Sequence, residues 1–206
     1  MKNATKHADE LKSLCKRLVK EHKPADKQPL DPLPALVRGA MSYDVADAKA
    51  DEAMRVIERE FVDLNELRVA TDLEIQDLLG FKYPQIERRV LMITAGLNYI
   101  FEKLHTLNLD KLKEMPKKEA RAFLRELPDV HPFVEAYVAL FALDAPAFPI
   151  DDDLLARLTE AGAVESGSSL ADAQRFVEHQ VKAEDLYEFF AAARAAASKR
   201  KQKAKA

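Results

Sequence analysis

The chain has one cysteine, no tryptophan and only five glycines among 206 residues. A lone Cys15 excludes a disulfide framework, a CxxC redox pair and any multi-cysteine zinc or iron–sulfur site. The glycines, Gly39, Gly80, Gly96, Gly162 and Gly167, are too scattered to form a nucleotide-binding loop. No run approaches the roughly 18 apolar residues that a membrane span requires. The opening MKNATKHADELKSLC has no apolar segment, so no signal peptide is expected and the expected location is cytoplasmic. The five histidines form no HExxH or related ligand spacing, and no G-x-S-x-G motif occurs. Neither a metal nor a cofactor is therefore expected.

What is present is a globular composition, 48% hydrophobic and 33% charged, with enough apolar mass for a core. The net charge of −3 conceals an asymmetry: residues 1–23 carry +4, the tail SKRKQKAKA (198–206) carries +5, and residues 24–197 carry −12. A polyanion would be drawn to the ends and repelled by the middle. Lys199, Arg200 and Lys201 in the tail are read either as a solvated, disordered terminus or as a nucleic-acid contact.

The periodicity is helical almost throughout. Residues 5–23 place Ala8, Leu11, Cys15, Leu18, Val19 and His22 on one stripe. Four prolines in PADKQPLDPLP then break the helix. Further helices are predicted over 33–42, over a segment opened by Asp44, and after a Thr71/Glu74 capping box that stops at Gly80. A long one follows Pro84, two begin at Pro116 and Pro132, one begins at Asp151, and two more follow the ESGSS loop. No hairpin alternation appears, so the expected fold class is all-α.

Two places could carry chemistry. Pro149-Ile150-Asp151-Asp152-Asp153 puts three carboxylates at a helix start. They are read either as a cap favoured by the helix dipole, or as a carboxylate beside a reacting sugar or water. Leu124-Arg125-Glu126-Leu127-Pro128-Asp129-Val130-His131-Pro132 reads as a helix, a tight turn and a second helix, a shape able to aim backbone N–H groups at a phosphate. This turn lacks the glycines that such an approach prefers. Asp129 beside a phosphate costs about 1 kcal/mol, each lost amide–anion contact costs roughly 1.5–3 kcal/mol, and Pro132 offers no N–H.

In order, these segments resemble the helix–hairpin–helix DNA glycosylase superfamily, in its endonuclease III-like branch. ALVRGAMSYDVADAKA (35–50) is similar to the family's Ser-x-Gln-x-x-Asp segment, with Asp44 on the aspartate and Met41 in place of the glutamine. LLGFKYPQIERRV (78–90) resembles the Gly-x-x-x-x-Lys-Ala turn, with Gly80 kept and Gln85 in the lysine's place. LRELPDVHPFVEAYV (124–138) resembles the hairpin, and FPIDDDLLARL (148–158) the Val-Asp-Thr-His helix start. The family's Schiff-base lysine and catalytic aspartate fall on Phe133 and Asp151, with the family's separation of 18 preserved.

The resemblance implies a two-lobed helix–hairpin–helix fold around a central cleft: residues 1–28 with 140–197 as a terminal lobe, 29–139 as a central lobe carrying the hairpin, and 198–206 as a basic disordered tail. It implies duplex DNA as the partner, bound weakly. Asp151 is then the catalytic candidate, and Met41, Tyr43, Arg125, Val130, His131, Lys199, Arg200 and Lys201 are DNA contacts. Met41, Tyr43 and Phe133 are expected to line the mouth of the pocket. Phe133 cannot form a Schiff base, so the implied activity is a base-excision-repair protein without lyase chemistry, either a weak monofunctional glycosylase or a DNA-binding remnant. The alternative is a non-enzymatic helical module that binds a protein partner on the same fold.

Overall fold

A computed structural model describes the backbone of residues 4–203 and the side chains of 4–197. The described residues form helices and no strand: α1 (Ala4–His22), α2 (Pro32–Ser42), α3 (Asp47–Glu60), α4 (Leu64–Val69), α5 (Asp72–Leu79) and α6 (Ile86–Leu104) come first. After these come α7 (Lys111–Glu114), α8 (Lys117–Arg125), α9 (Pro132–Ala142), α10 (Asp152–Glu160), α11 (Leu170–Gln180), a single 3₁₀ turn over Ala183–Asp185, and α12 (Leu186–Lys203). None is long and apolar enough to cross a membrane.

The boundaries follow from local chemistry. Pro32 and Pro132 occupy first turns, where a missing N–H is harmless. The Thr71/Glu74 capping box forms in both directions. Gly80 closes α5 at φ 84°, ψ 130°, which is not the left-handed cap expected of it but is again a conformation only glycine adopts freely. Asp44 does not open α3; it sits in a left-handed turn at φ 53°, and α3 starts three residues later. Of the 198–206 tail expected to be disordered, the backbone of 198–203 continues the α12 helix, in keeping with the helix propensity of its Lys, Arg and Gln, and 204–206 lie outside the described residues.

Helix packing groups the chain into two sets. α1 lies along α12 and touches α11, and α10 packs on α11 and α12. α2 lies along α9 and contacts α3 and α6, while α4 and α5 cover α6 and α8 joins α9. The contact between α2 and α9 is close because Gly39 has no side chain: a Cβ there would stand 3.3 Å from Tyr137 Cβ. One hydrophobic core runs through both sets, from Leu11 on α1 to Phe133 on α9 and Phe189 on α12. The expected lobe boundary at 139/140 falls inside α9.

Candidate functional site

Asp151 is the N-cap of α10, and its side chain is completely buried at 0% exposure. The Leu154 N–H donates to Oδ1 at 2.9 Å, which makes the cap. The Asp44 N–H donates to Oδ2 at 2.9 Å, and Arg194 Nη1 donates to the same oxygen at 2.9 Å. Arg194 reaches in from α12 and also donates to Ser42 O, Val45 O and Asp47 Oδ1. One guanidinium thus clasps the turn between α2 and α3 to the start of α10. Burial pushes the Asp151 carboxyl up, with Arg194 and the two amides pulling against it. For Arg194, burial lowers the pKa, but Asp47 and Asp151 outweigh it and hold the guanidinium above its ordinary value. Three donors thus engage the two Asp151 oxygens, one on Oδ1 and two on Oδ2, and the side chain is out of contact with solvent.

Phe133 stands at the start of α9, also at 0% exposure. Its ring packs on Tyr43 (centroids 6.4 Å apart), Tyr137 (5.9 Å) and Phe190 (6.2 Å). The Arg194 guanidinium carbon is 5.9 Å from the same ring. Phe133 and Asp151 therefore both lie against one arginine. Beside it, α2, α9, α12 and the proline-rich strap 24–31 enclose a cleft of about 410 Å³. Tyr137, Phe141 and Phe190 give it an aromatic wall, and Arg38, Asp47 and Arg194 give it charge. Arg38 is held in turn by an ion pair to Asp51 and a 3.0 Å bond to the Tyr137 hydroxyl. Among the described residues no group of His, Cys, Asp and Glu is arranged to hold a metal ion.

The hairpin keeps its bend without glycine. Asp129 takes the left-handed conformation, φ 52°, which Asp tolerates better than most residues. Its amides are largely spent inside the protein. The Val130 N–H donates to Leu127 O at 3.3 Å, and the His131 N–H points at Met92 Sδ, 3.4 Å away. The Phe133 N–H donates to His131 Nδ1 at 3.2 Å, so His131 caps α9. Arg125, at the end of α8, is exposed and lies 3.6 Å from the buried Glu135, and Val130 is half-buried.

Met41 and Tyr43 differ from expectation. Neither lines a mouth: both are buried, because the Ser42–Val45 turn folds them onto the core. Tyr43 lies between the Arg89 guanidinium and the His131 ring, while the Met41 carbonyl accepts from the Tyr83 hydroxyl at 2.7 Å. Phe133 backs the cleft without presenting surface. The side chains of Lys199, Arg200 and Lys201 lie outside the described residues.

Sequence reasoning missed Arg194 and Arg89, and it also missed Phe81. Phe81 is 59% exposed on the turn after Gly80, next to exposed Lys82. The Tyr83 and Arg89 bonds pin that turn against residues 40–43. An aromatic immediately after a helix-ending glycine, followed by lysine, was the available signal.

No family model matches the chain, and no curated protein matches it in sequence. Solved structures do. A trapped endonuclease III–DNA covalent intermediate superposes at TM-score 0.73 with 13% identity, over 90% of this chain and 84% of that one. The 8-oxoguanine glycosylase/lyase of Clostridium acetobutylicum, in complex with double-stranded DNA, gives 0.73 at 17% identity over 97% and 71%. The 3-methyladenine DNA glycosylase MagIII of H. pylori, bound to 1,N6-ethenoadenine, gives 0.69 at 12% identity over 95% and 98%. The fold is that of the helix–hairpin–helix DNA glycosylases.

Proposed function

We propose that the protein binds duplex DNA through the glycosylase fold and performs no lyase chemistry. The observation that carries this reading is the Asp151–Arg194 clasp beside Phe133. The position that the resemblance gives to an amine nucleophile holds a buried phenyl ring, and the carboxylate that would assist it is tied up by an arginine and two amides. Schiff-base chemistry needs an amine within reach of the sugar, and assistance by a carboxylate needs one that a water or the sugar can reach.

DNA is the proposed partner because the similar structures are DNA glycosylases, two of them solved on DNA. The proposed contact face joins the hairpin turn, the Ser42–Val45 turn and the Gly80–Gln85 loop. Phe81 is exposed there as an apolar wedge of the kind that unstacks a base step. Lys49, Lys82 and Arg88 supply exposed positive charge on or beside that face. Asp129 and the occupied hairpin amides weaken the hold on phosphate, so binding is weak, and what the exposed Lys and Arg supply falls with added salt. The aromatic cleft is large enough for one extruded base, which would be held there and not excised.

The test is a panel of duplexes carrying uracil, 8-oxoguanine, alkylated purines or an abasic site. Binding should be measurable by anisotropy at low salt and fall with added salt. No base should be released, and borohydride should trap no adduct. Base release by the wild type that disappears in Asp151→Asn would overturn the non-excising reading and establish a monofunctional glycosylase.

A further inference from the structure

Beside the hairpin, three flat groups lie face to face. The Arg89 guanidinium carbon sits 3.7 Å from the Tyr43 ring centroid. The His131 ring lies 4.3 Å from Tyr43, with 3° between the planes. Two groups at those distances cannot share one face, so Tyr43 is sandwiched between them. Each outer layer is fixed from elsewhere. Arg89 is completely buried and donates to Pro84 O (2.7 Å), Ala40 O (2.5 Å) and Tyr43 O (2.6 Å). His131 is fixed by the Phe133 N–H on its Nδ1. The Tyr43 hydroxyl has no partner at all, so the ring is held through its two faces.

The stack ends at the surface. Tyr43 and Arg89 are buried, whereas His131 is only half-buried, and no second ring or guanidinium covers it among the described residues. Burial and the nearby Arg88 hold the His131 pKa below the usual histidine value, while Asp152 and Asp151 act in the opposite sense. Burial thus favours the neutral form of the ring. A neutral aromatic face, held rigid by hydrogen bonds and backed by two more layers, has already lost the side-chain freedom that a ligand would otherwise have to freeze.

We propose that the Arg89–Tyr43–His131 stack is a platform for one unpaired nucleobase of a bound DNA strand, which lies on the outer face of His131 as a fourth layer. This rests on the DNA-binding reading above and deepens it. It is a separate place from the aromatic cleft, whose walls are α2, α9 and α12. Every base has a face able to stack on an aromatic ring, and such stacking discriminates little among sequences. Exposed Arg88, whose charge is felt at His131, is placed for the adjoining phosphate.

The experiment compares two duplexes, one fully paired and one with a single bulged 2-aminopurine, by anisotropy and by quenching of the probe. Wild type should prefer the bulged duplex by roughly 5- to 150-fold, the range for one base–aromatic stack, and should quench the probe. His131→Asn keeps a side-chain oxygen able to cap α9 but removes the ring; it should lose both the preference and the quenching. His131→Phe keeps the ring without the cap and should retain both. Equal wild-type affinity for the two duplexes would overturn the platform while leaving DNA binding intact, as would a preference that survives in His131→Asn. Binding of neither duplex would overturn the DNA reading and the platform with it.

Discussion

Arg194→Met separates a structural Asp151 from a chemical one. The substitution leaves a carboxylate at 0% exposure with only the Leu154 and Asp44 amides as donors. Removing one member of a buried ion pair costs about 3–5 kcal/mol, because the other charge stays behind without compensation. In a domain of this size each kcal/mol moves Tm by about 2–4 °C, so a fall of roughly 6–20 °C is expected. Asp151→Asn should destabilise for a related reason. Its oxygen still caps α10, but its NH2 then faces two donors, the Asp44 N–H and Arg194. The double variant should lose less than the two singles added together, by about 0.5–3 kcal/mol.

The pH dependence has a defined sign. Burial already holds the folded-state pKa of Asp151 above its unfolded value, and loss of Arg194 raises it further. A raised carboxyl binds its proton more tightly in the folded state, so the stability it contributes is full below the unfolded pKa and is lost as pH rises through the folded one. Arg194→Met should therefore be more destabilised at pH 8 than at pH 5, by calorimetry or urea titration. An Asp151→Asn protein that is as stable as wild type, or more so, would refute the structural assignment. That behaviour belongs to a charge retained for function at a cost in stability.

Three further substitutions test other parts of the reading. Tyr43→Phe deletes only a buried hydroxyl without a partner, so stability should be unchanged or rise by about 1 kcal/mol in urea titrations, with the stack intact. Asp129→Gly relieves a left-handed Asp and removes a carboxylate from the hairpin turn; DNA affinity at low salt should increase, and a decrease in anisotropy titrations would show that the turn does not face phosphate. Phe133→Lys places an amine in a fully buried aromatic cage near Arg194, so it should destabilise by several kcal/mol and yield no borohydride-trapped adduct with an abasic duplex. A trapped adduct would mean that the site can reach a sugar after all.

The helices were legible because prolines, capping residues and apolar stripes punctuate them. The exceptions are the six residues of α4 and the four of α7, which are too short for periodicity to register. For α4 the available sign was a cap: Asp63 accepts from Asn65 and Glu66. The meeting of Phe133 and Asp151 was legible through conserved order along the chain, since it depends on a helix length and a turn. The clasp between them was not. Arg194 lies 43 residues from Asp151 and 147 from Asp47 in sequence, and no local pattern encodes a contact over that range.

There was nevertheless a physical sign in the α12 sequence. Phe190, Ala193 and Ala197 form its buried stripe, and Arg194 adjoins it within an otherwise alanine-rich run. An arginine on the buried side of its helix holds its charge away from solvent, and such a charge cannot be buried alone. It must meet carboxylates or carbonyls presented by another element. The acidic run 151–153, which starts a helix behind a proline and two apolar residues, supplies one already turned inward. Read that way, the one charge in the alanine-rich middle of α12 and the inward cap imply each other, and their pairing ties the start of α10 to α12.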